Sequence, residues 1–563
     1  MWAGKVKLET DMAEDRSYKY IASVAPEAAE APPLKHSVSV ENGVVVERDV
    51  AVTLRDGVTI YVDVFRPEGA GKVPPLIAWS PYGKHAPIQY DKYFTTAGVA
   101  TGQVSNFTAF EAPDPMYWCP RGFAVVNVDP RGAWHSEGRM SYFNAGEAED
   151  YYDLIEWAGT QPWSNGKVGL AGVSYLAVSQ WHAAAKRPPH LAAINPWEGW
   201  TDPYREIAFH GGIPDSWFYA FVQSVAQFGL TEHEDMVTMA AEHPLFDDYW
   251  KGKIALLENI EVPAYVVASW SDHGLHTRGT LEGFKRISSK DKWLEIHGRK
   301  KWGYYYDPES LQRQEQFYTQ FLKGQDAGMS AWPKVRLELR DAFYKGDFVN
   351  IEAWPPVDSR ERILFLDAQD GSLQKEQVQT EGSASYVAGG ETAQPLFFDY
   401  KFGRDAAIVG SIGLHLYLSA DEATDADVFV AIQKLDADGT VVPFAYCAQF
   451  DDGPVALGWL RASHRELDVD QSTPERPVHL HRQTQPLEPK KPTLLDIEIW
   501  PSGTFFKKGE SLRLLIQDRD VNQYPKTKVV NRHEITANRG RYTVHTGGDT
   551  PSHLVLPMFD NFG

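Results

Sequence analysis

One serine of this sequence lies on a predicted turn between a strand and a helix. An apolar strand over residues 168–171 precedes the turn, and a helix is predicted over about residues 175–185. The proline pair at 188–189 ends that helix, because proline lacks a backbone N–H and disfavours a helical residue before it. Such a turn holds the Ser174 hydroxyl above the sheet, beside the free N–H groups of the helix start. The pattern predicts a nucleophilic serine on a nucleophile elbow.

The local motif departs from the usual G-x-S-x-G of such elbows. Gly172 occupies the first glycine position, but Leu176 occupies the second, and Ala177 is the next small residue. The residues around the turn therefore leave an alternative open, an ordinary strand-to-helix turn in which Ser174 only caps the helix.

Composition excludes several classes of function. The net charge of −21 argues against a nucleic-acid partner, which needs a basic surface. Cys119 and Cys447 lie far apart and form no disulfide framework, and no C-x-x-C or H-E-x-x-H pattern occurs. We therefore expect no metal and no cofactor. Residues 1–6 lead into charged residues rather than into an apolar run, and no stretch approaches the roughly 20 apolar residues of a membrane span, so we expect a cytoplasmic protein without a membrane partner.

Fully apolar strands alternate with helices in the first half of the chain. Strands are predicted at residues 76–79, 122–128 and 168–171, with a helix over 147–159 between the second and third. This alternation predicts a parallel sheet with helices on both faces. The sheet is expected to resume at residues 262–270 and 292–297, followed by a helix over 310–323.

A chain of 563 residues is too long for one hydrophobic core, so we expect several domains. Changes in the pattern of predicted strands and helices indicate where they divide. Residues 1–40 are predicted to be a peripheral arm. The sequence does not decide whether this arm contacts the body of its own chain or a second subunit. The α/β core is predicted over 41–200 and 261–330, with an inserted helical cap over 201–260. Short alternating strands over 331–563 predict a C-terminal β-sandwich of the jelly-roll type.

Several motifs together resemble the family of cocaine esterase, α-amino-acid ester hydrolases and X-Pro dipeptidyl peptidases. The resemblance covers nearly the whole chain after residue 45 and implies an α/β-hydrolase core, a helical cap and a C-terminal jelly roll. It is carried by residues 50–57 with 63–67, Asp129-Pro130-Arg131-Gly132 with Ser136-Glu137-Gly138, Gly172-Val173-Ser174-Tyr175-Leu176, and residues 458–466.

The resemblance implies Asp272 as the acid of a catalytic triad. The family places this acid in a Trp-x-Asp at the C-terminal end of a strand, and Trp270-Ser271-Asp272 follows a predicted strand here. Such a carboxylate fixes the tautomer of the histidine and stabilises its imidazolium form. A loop aspartate that caps the next helix is the alternative.

The general base is harder to assign. The chain order of this fold is Ser, acid, His, and the family presents its histidine after Gly-Pro-Trp, past the last core strand. Residues 298–302 lack that motif, and a lysine stands about where the histidine is expected. His297 lies at the expected strand end, so we predict it to be the base. His273 and His276 remain competitors, and a degenerate site without a base also stays open.

Two further groups are implied as oxyanion donors. The family uses a tyrosine hydroxyl from a Pro-Tyr loop together with the backbone N–H that follows the nucleophile. Pro81-Tyr82 and Tyr175 fit these two positions. Preorganised donors stabilise the charge that develops on the carbonyl oxygen by about 3 kcal/mol each.

Other histidines and tryptophans are weighed against simple packing. His135, His182, His210 and His233 are interpreted as structural or surface residues. Trp197, Trp200 and Trp217 could line an acyl pocket beneath the cap or could fill the core, and the sequence leaves both open.

These features predict a serine hydrolase that cleaves a carboxylic ester or amide of a small organic substrate through an acyl-enzyme. An acyltransferase that uses the same triad, or a degenerate binding protein, are the alternatives. The sequence does not identify the substrate or the oligomeric state.

Overall fold

A computed structural model describes residues 18–85, 90–389, 394–526 and 528–560. Residues 1–17 of the predicted arm lie outside these ranges. In the rest of the arm, the strand Tyr20–Ala22 pairs with the strand Glu232–Glu234 of the predicted cap, and Val24 bridges to Phe228. The arm of the described chain therefore lies against the cap of the same chain. None of the described helices is long and apolar enough to cross a membrane.

A long mixed sheet forms the centre of the first half of the molecule. Its central strands, such as Pro75–Trp79, Val168–Val173 and Ala264–Ser269, are buried on both faces, as expected where helices cover both sides. The middle of the sheet is parallel, and antiparallel strands extend it at both edges. In spatial order the strands are Ser37–Glu41, Val44–Thr53, Thr59–Pro67, Ala124–Asp129, Pro75–Trp79, Val168–Val173, Leu191–Trp197, Ala264–Ser269, Lys292–His297, Val335–Ala342 and Lys345–Ile351.

Helices cover the sheet where the hydrophobic period predicted them. The helix predicted over 147–159 is confirmed as Ala145–Thr160, and its apolar stripe of Tyr151, Leu154, Ile155 and Ala158 is buried. Asn144 caps this helix by accepting a hydrogen bond from the N–H of Glu147. Further helical segments are Pro26–Ala29, Tyr90–Tyr93, Pro115–Trp118, Cys119–Arg121, Tyr175–Ala185, Thr277–Arg286, Lys301–Tyr305, Pro308–Tyr318, Thr319–Lys323 and Met329–Ala331.

The predicted cap consists of short elements. Helices were predicted over 216–228 and 233–243, and helices Phe218–Val225 and Met236–Glu242 occupy these segments. The remaining elements are Tyr204–Ala208, Phe209–His210, Ile213–Pro214, Glu232–Glu234, Asp248–Lys251 and Leu257–Asn259.

The last third of the chain is built from antiparallel strands around a separate apolar core that includes Leu414, Val430 and Ile497. Apart from the 3-10 turn Ala462–His464, the described elements there are strands: Ser359–Asp367, Ser372–Gln374, Gly382–Ala388, Leu396–Lys401, Ala406–Ala420, Asp427–Leu435, Val441–Val442, Phe444–Tyr446, Phe450–Gly453, Ala456–Arg461, Thr493–Phe506, Ser511–Gln517, Gly540–Thr546 and His553–Phe559.

The junction between the two halves is continuous. The strand Val335–Ala342 pairs in parallel with Lys292–His297, so the central sheet extends past the predicted boundary at residue 330. Arg340, on this strand, is buried and donates to the carbonyl of Val455 at 2.9 Å and to the hydroxyl of Ser502 at 2.8 Å. This guanidinium therefore connects the sheet to the C-terminal strands.

Candidate active site

The nucleophile elbow is formed as predicted from the strand, the turn and the helix. The strand Val168–Val173 leads into Ser174, whose backbone has φ 60° and ψ −118°, and the helix Tyr175–Ala185 follows directly. A non-glycine residue rarely adopts this conformation, and such strain concentrates at functional sites. This backbone conformation directs the Ser174 side chain away from the helix. The side chain makes no capping hydrogen bond to the N-terminus of the helix.

Gly172 is required by the same turn. Its φ is 125°, and a Cβ at this position would lie 2.5 Å from the Leu176 side chain and 3.0 Å from the carbonyl oxygen of Glu111. Leu176, which replaces the second glycine of the usual motif, therefore packs directly over the first glycine.

We expect Gly172→Ala to lower the free energy of unfolding by about 3 kcal/mol, because the substitution adds both backbone strain and steric overlap. Denaturant unfolding followed by fluorescence measures the change. Gly57→Ala is the matched control, since Gly57 has φ 92° but no atom within 4 Å of its Cβ position. Equal losses in the two variants would contradict a specific packing role for Gly172.

His276 lies next to the nucleophile. Its Nε2 is 3.2 Å from the Ser174 Oγ, and its Nδ1 is hydrogen bonded to the Asp272 carboxylate. The side chains of His276 and Asp272 are fully buried. With Nδ1–H donating to the carboxylate, Nε2 is free to accept the hydroxyl proton of Ser174. The order Ser174, His276, Asp272 is thus that of a nucleophile, a base and an orienting acid.

The prediction that His297 contacts Ser174 is wrong. His297 Nδ1 accepts a hydrogen bond from the N–H of Arg299 at 3.1 Å, so the proton is on Nε2, which donates to Glu198 Oε1 at 3.1 Å. Both nitrogens are therefore engaged inside the sheet, where His297 pairs in register with Ser269. The other competitor, His273, points elsewhere, since its Nδ1 accepts from the N–H of Leu457.

A spacing signal in the sequence could have identified His276. Asp272 and His276 are four residues apart, and the N–H groups of His276 and Thr277 bond back to the Asp272 carbonyl at 3.1 and 3.3 Å. This turn leads into the helix Thr277–Arg286. Residues four apart in one helical turn face the same side, so an acid and a histidine at this spacing can pair directly.

Lys301 occupies the place where the sequence led us to expect a histidine. Its Nζ lies 3.1 Å from Asp272 Oδ2 and 3.3 Å from His276 Nδ1. Burial raises the pKa of Asp272, but the Lys301 ammonium and His276 outweigh it and hold that pKa well below its ordinary value. Burial, and then Lys301, lower the pKa of His276 to about 4. The pair is therefore a carboxylate and a neutral imidazole at neutral pH.

Tyr82 packs against Tyr175, the residue that follows Ser174. The Tyr82 ring packs edge-on against Phe110 at 5.4 Å and against Tyr175 at 5.9 Å. Burial, and then Glu111, raise the pKa of Tyr82 well above its ordinary value, so its hydroxyl keeps its proton and can donate. The loop that carries it is fixed by Trp134, whose Nε1 donates to the Pro81 carbonyl at 3.0 Å.

The two tyrosines offer different groups. The side chain of Tyr175 is directed away, because its hydroxyl donates to Glu147 Oε1 at 2.8 Å. Tyr175 is the first residue of its helix, where a backbone N–H has no partner within the helix. The geometry therefore allows a hydroxyl from Tyr82 and an N–H from Tyr175.

Comparison with known proteins places this arrangement in a family. Residues 56–235 match the model described as X-Pro dipeptidyl-peptidase (S15 family), and residues 327–555 match that of the X-Pro dipeptidyl-peptidase C-terminal non-catalytic domain. The crystal structure of a CocE/NonD family hydrolase from Staphylococcus aureus is 39% identical, with a TM-score of 0.89, over 95% of this chain and 98% of that chain. The chain belongs to the CocE/NonD hydrolase family.

Two further proteins are similar to this chain, one in part of its sequence and one in fold. The cocaine esterase of Rhodococcus sp. (strain MB1 Bresler) is 37% identical over 160 residues, which are 28% of this chain and 25% of the esterase. The match thus spans about a quarter of that relative. An α-amino acid ester hydrolase of known structure is 17% identical, with a TM-score of 0.68, over 94% of this chain and 99% of that chain, and so agrees in fold.

These findings confirm the family resemblance and the coarse architecture predicted from the sequence. The CocE/NonD chain has an α/β-hydrolase-like fold with a β-rich C-terminal domain. By class it is a serine hydrolase.

Aromatic side chains surround the triad of this CocE/NonD hydrolase. Trp200 stacks on the His276 ring, with centroids 5.6 Å apart and planes 4° apart, and Phe143 packs against Trp200 at 5.1 Å. Of the three tryptophans proposed for a pocket, Trp197 instead packs in the core against Tyr305, and Trp217 stacks on Phe221 in the cap. Trp200 is thus the one that touches the candidate site.

The histidines interpreted as structural lie away from Ser174. His210 is bonded to His533 Nε2 and to the Gly274 carbonyl, both at 2.8 Å. His135 is within 3.2 Å of the Pro32 carbonyl. His233 is 3.2 Å from the Ser23 hydroxyl. His182 is buried with its ring 6.4 Å from Phe143. These contacts fix the arm, the cap and the C-terminal strands.

Two groups of side chains have ligand atoms close enough together for a metal ion among the described residues. They are Asp49 with Asp63 and His85, and Glu198 with Asp272 and His276. In each group a buried lysine already supplies a cation: Lys84 Nζ is 2.8 Å from Asp49, and Lys301 Nζ is 3.1 Å from Asp272. We interpret both groups as ion-pair networks.

Proposed function

We propose that this CocE/NonD hydrolase cleaves a carboxylic ester, or an amide, of a small organic molecule through an acyl-enzyme on Ser174. The observation that supports this most directly is the 3.2 Å contact between Ser174 Oγ and His276 Nε2, with Asp272 on the other ring nitrogen. A serine hydroxyl is a weak nucleophile, and a base at hydrogen-bond distance activates it.

In the first half of the reaction, Ser174 Oγ attacks the carbonyl carbon while its proton moves to His276 Nε2. The ring becomes an imidazolium, which the Asp272 carboxylate stabilises through the Nδ1–H bond. When the tetrahedral intermediate collapses, the Nε2 proton is transferred to the leaving alcohol or amine. The acyl group then remains on Ser174.

The oxyanion of the intermediate is stabilised by two donors in this proposal. The hydroxyl of Tyr82, kept protonated by burial, and the N–H of Tyr175 are directed to the carbonyl oxygen. Charge grows on that oxygen only as the transition state forms, so the donors act mainly on the rate rather than on substrate binding.

In the second half, water replaces the alcohol and attacks the acyl group with His276 again as base. An acyltransferase differs only in the nucleophile of this step, so product analysis with competing alcohols and amines separates the two activities. The alternative of a degenerate binding protein predicted a serine without an imidazole beside it, and the position of His276 argues against that alternative.

We also propose the finer domain assignment. Residues 41–200 and 261–330 form the hydrolase core, 201–260 the cap, and 331–563 a jelly-roll sandwich, with the hairpin Val335–Ala342 and Lys345–Ile351 shared with the core sheet. The partner of this hydrolase in the proposal is a small ester or amide rather than a macromolecule.

A fluorophosphonate probe tests the nucleophile. We expect one probe per chain, attached to Ser174, because activated serines react with such probes and unactivated ones do not. Intact-mass spectrometry and peptide mapping measure the stoichiometry and the position. Ser179, also buried and on the helix after the elbow, is the matched control: Ser179→Ala is expected to keep full labelling, and Ser174→Ala to lose it. Labelling of the Ser174→Ala protein would overturn the assignment.

A further inference from the structure

Lys301 has no part in the reaction as proposed so far, yet it touches two members of the triad. Lys301 is buried, with 4% of its surface exposed. Its Nζ lies 3.1 Å from Asp272 Oδ2, the same oxygen that accepts the Nδ1–H of His276. Its distance to that Nδ1 is 3.3 Å. The carboxylate oxygen is therefore shared between a permanent cation and the imidazole.

The charged groups that face this pair are few. Burial raises the pKa of Glu111 to about 8, so it is largely neutral at pH 7, and its Oε1 accepts from Trp302 Nε1. Glu198 is occupied by His297 and by the Ser269 hydroxyl at 2.7 Å. Burial raises the pKa of the Cys447 thiol, which stays neutral. Trp200 covers the face of the His276 ring.

Among the described residues, Asp272 and Lys301 are thus the charged groups hydrogen bonded to or within 3.3 Å of His276 Nδ1, and a Glu198 oxygen lies farther out, within 4.8 Å of a ring nitrogen. An aspartate alone beside a histidine favours the imidazolium and makes the histidine more basic. An ammonium at a similar distance disfavours the imidazolium by a comparable amount. The effects of the two charges on the imidazolium largely offset each other. The burial of the ring then determines its protonation, and burial favours the neutral form.

We propose that Lys301 is a positioning residue that keeps His276 neutral, and thus able to accept the Ser174 proton, well into the acidic range. The proposal rests on the function proposed above, in which His276 is the base. The direction of the effect follows from the charges. Removing the ammonium removes a repulsion from the imidazolium, so His276 becomes more basic and stays protonated to a higher pH. The acid limb of kcat/KM, which reports the free base, then moves to higher pH.

The test compares pH profiles of kcat/KM for an activated aryl ester in the wild type and in Lys301→Met. Methionine keeps most of the volume and removes the charge. We expect the acid limb of the variant to lie about one to two pH units higher, which lowers kcat/KM at pH 5 by about 2- to 10-fold relative to the wild type, beyond any difference between the two proteins at neutral pH. Above both limbs the two proteins should differ by less than about 10-fold. Lys301→Arg, which retains the charge, should keep the wild-type limb.

Lys300 provides a matched control one residue away. Its Nζ donates to the carbonyl of Thr96 at 2.6 Å and pairs with Asp451 rather than with the triad. Lys300→Met makes the same change in net charge, and its profile should coincide with that of the wild type. Coincidence of the Lys301→Met profile with the wild type would overturn the proposal.

A second measurement needs no variant. The rate of fluorophosphonate labelling of wild-type Ser174 should reach half its maximum below about pH 5.5, since the base is expected to be neutral there. A midpoint near the ordinary histidine value of about 6.5 would overturn the role of Lys301. If the proposed function itself fails, Ser174 is not labelled at any pH and Ser174→Ala retains turnover, which is a different result from a displaced limb.

Discussion

Replacing His276 by alanine should lower kcat/KM for an activated aryl ester by about 10⁴-fold. His276 is the imidazole within 3.2 Å of Ser174 Oγ, and without it no other described side chain takes the proton at that position. The residual rate would come from the oxyanion donors and from substrate binding. Steady-state kinetics at neutral pH measure the loss, and circular dichroism checks that the variant is folded.

His297→Gln is the control for this experiment, because the sequence pattern favoured His297 as the base. A glutamine amide can still donate to Glu198 and avoids leaving that buried carboxylate without a partner. We expect kcat/KM of His297→Gln within about 10-fold of the wild type. The reverse order, a large loss for His297→Gln and a small one for His276→Ala, would restore the assignment made from chain order.

The turn that carries the candidate nucleophile Ser174 could be predicted from the sequence because its signals are local. An apolar strand, one glycine, one serine and a helix that starts at once are contiguous, and each follows from backbone sterics over a few residues. Even the departure at Leu176 is explained locally, since its side chain covers Gly172. Asp272 could be singled out from the sequence for the same reason, because it is the first acidic residue after a buried strand that ends at Ser269.

His276, which we propose as the base, could not be predicted by the rule that was applied to it. Chain order and a family motif direct attention to the end of the last core strand, but the contact depends on how the turn after Asp272 closes. There the helical spacing brings His276 back onto Asp272 and beneath Trp200. In the sequence, the one indication that the histidine lies elsewhere was the lysine at the position where the family pattern places it. Its role depends on a contact between residues 272 and 301, which the linear sequence does not reveal.

The fold shows the same division between local and distant information. Strand and helix positions follow from the local hydrophobic pattern, as the helix Ala145–Thr160 and the strand Val168–Val173 illustrate. The boundary at residue 330 followed a change of texture, from mixed elements to strands alone. A strand that joins the core sheet has the same local pattern as a sandwich strand, so the position of Val335–Ala342 depended on long-range pairing.

Tyr82→Phe should reduce kcat by about 10²- to 10³-fold with little change in KM. The substitution removes one O–H donor and keeps the ring, whose packing against Phe110 and Tyr175 needs no hydroxyl. Because the oxyanion exists only near the transition state, its loss affects the chemical step more than substrate binding. The free energy of unfolding should change by less than about 1 kcal/mol.

Tyr90→Phe separates a catalytic hydroxyl from a merely buried one. Tyr90 packs against the same Phe110 at 5.8 Å, and its hydroxyl accepts from the N–H of Glu111 at 3.0 Å. Its removal leaves that buried N–H unpaired and should lower stability by about 1–3 kcal/mol, while kcat stays within about 10-fold. A loss of less than about 5-fold in kcat for Tyr82→Phe would contradict the donor role, because one preorganised hydrogen bond to an oxyanion in a buried site is worth more than that. The two variants together thus distinguish a hydroxyl that acts on the reaction from one that acts on the fold.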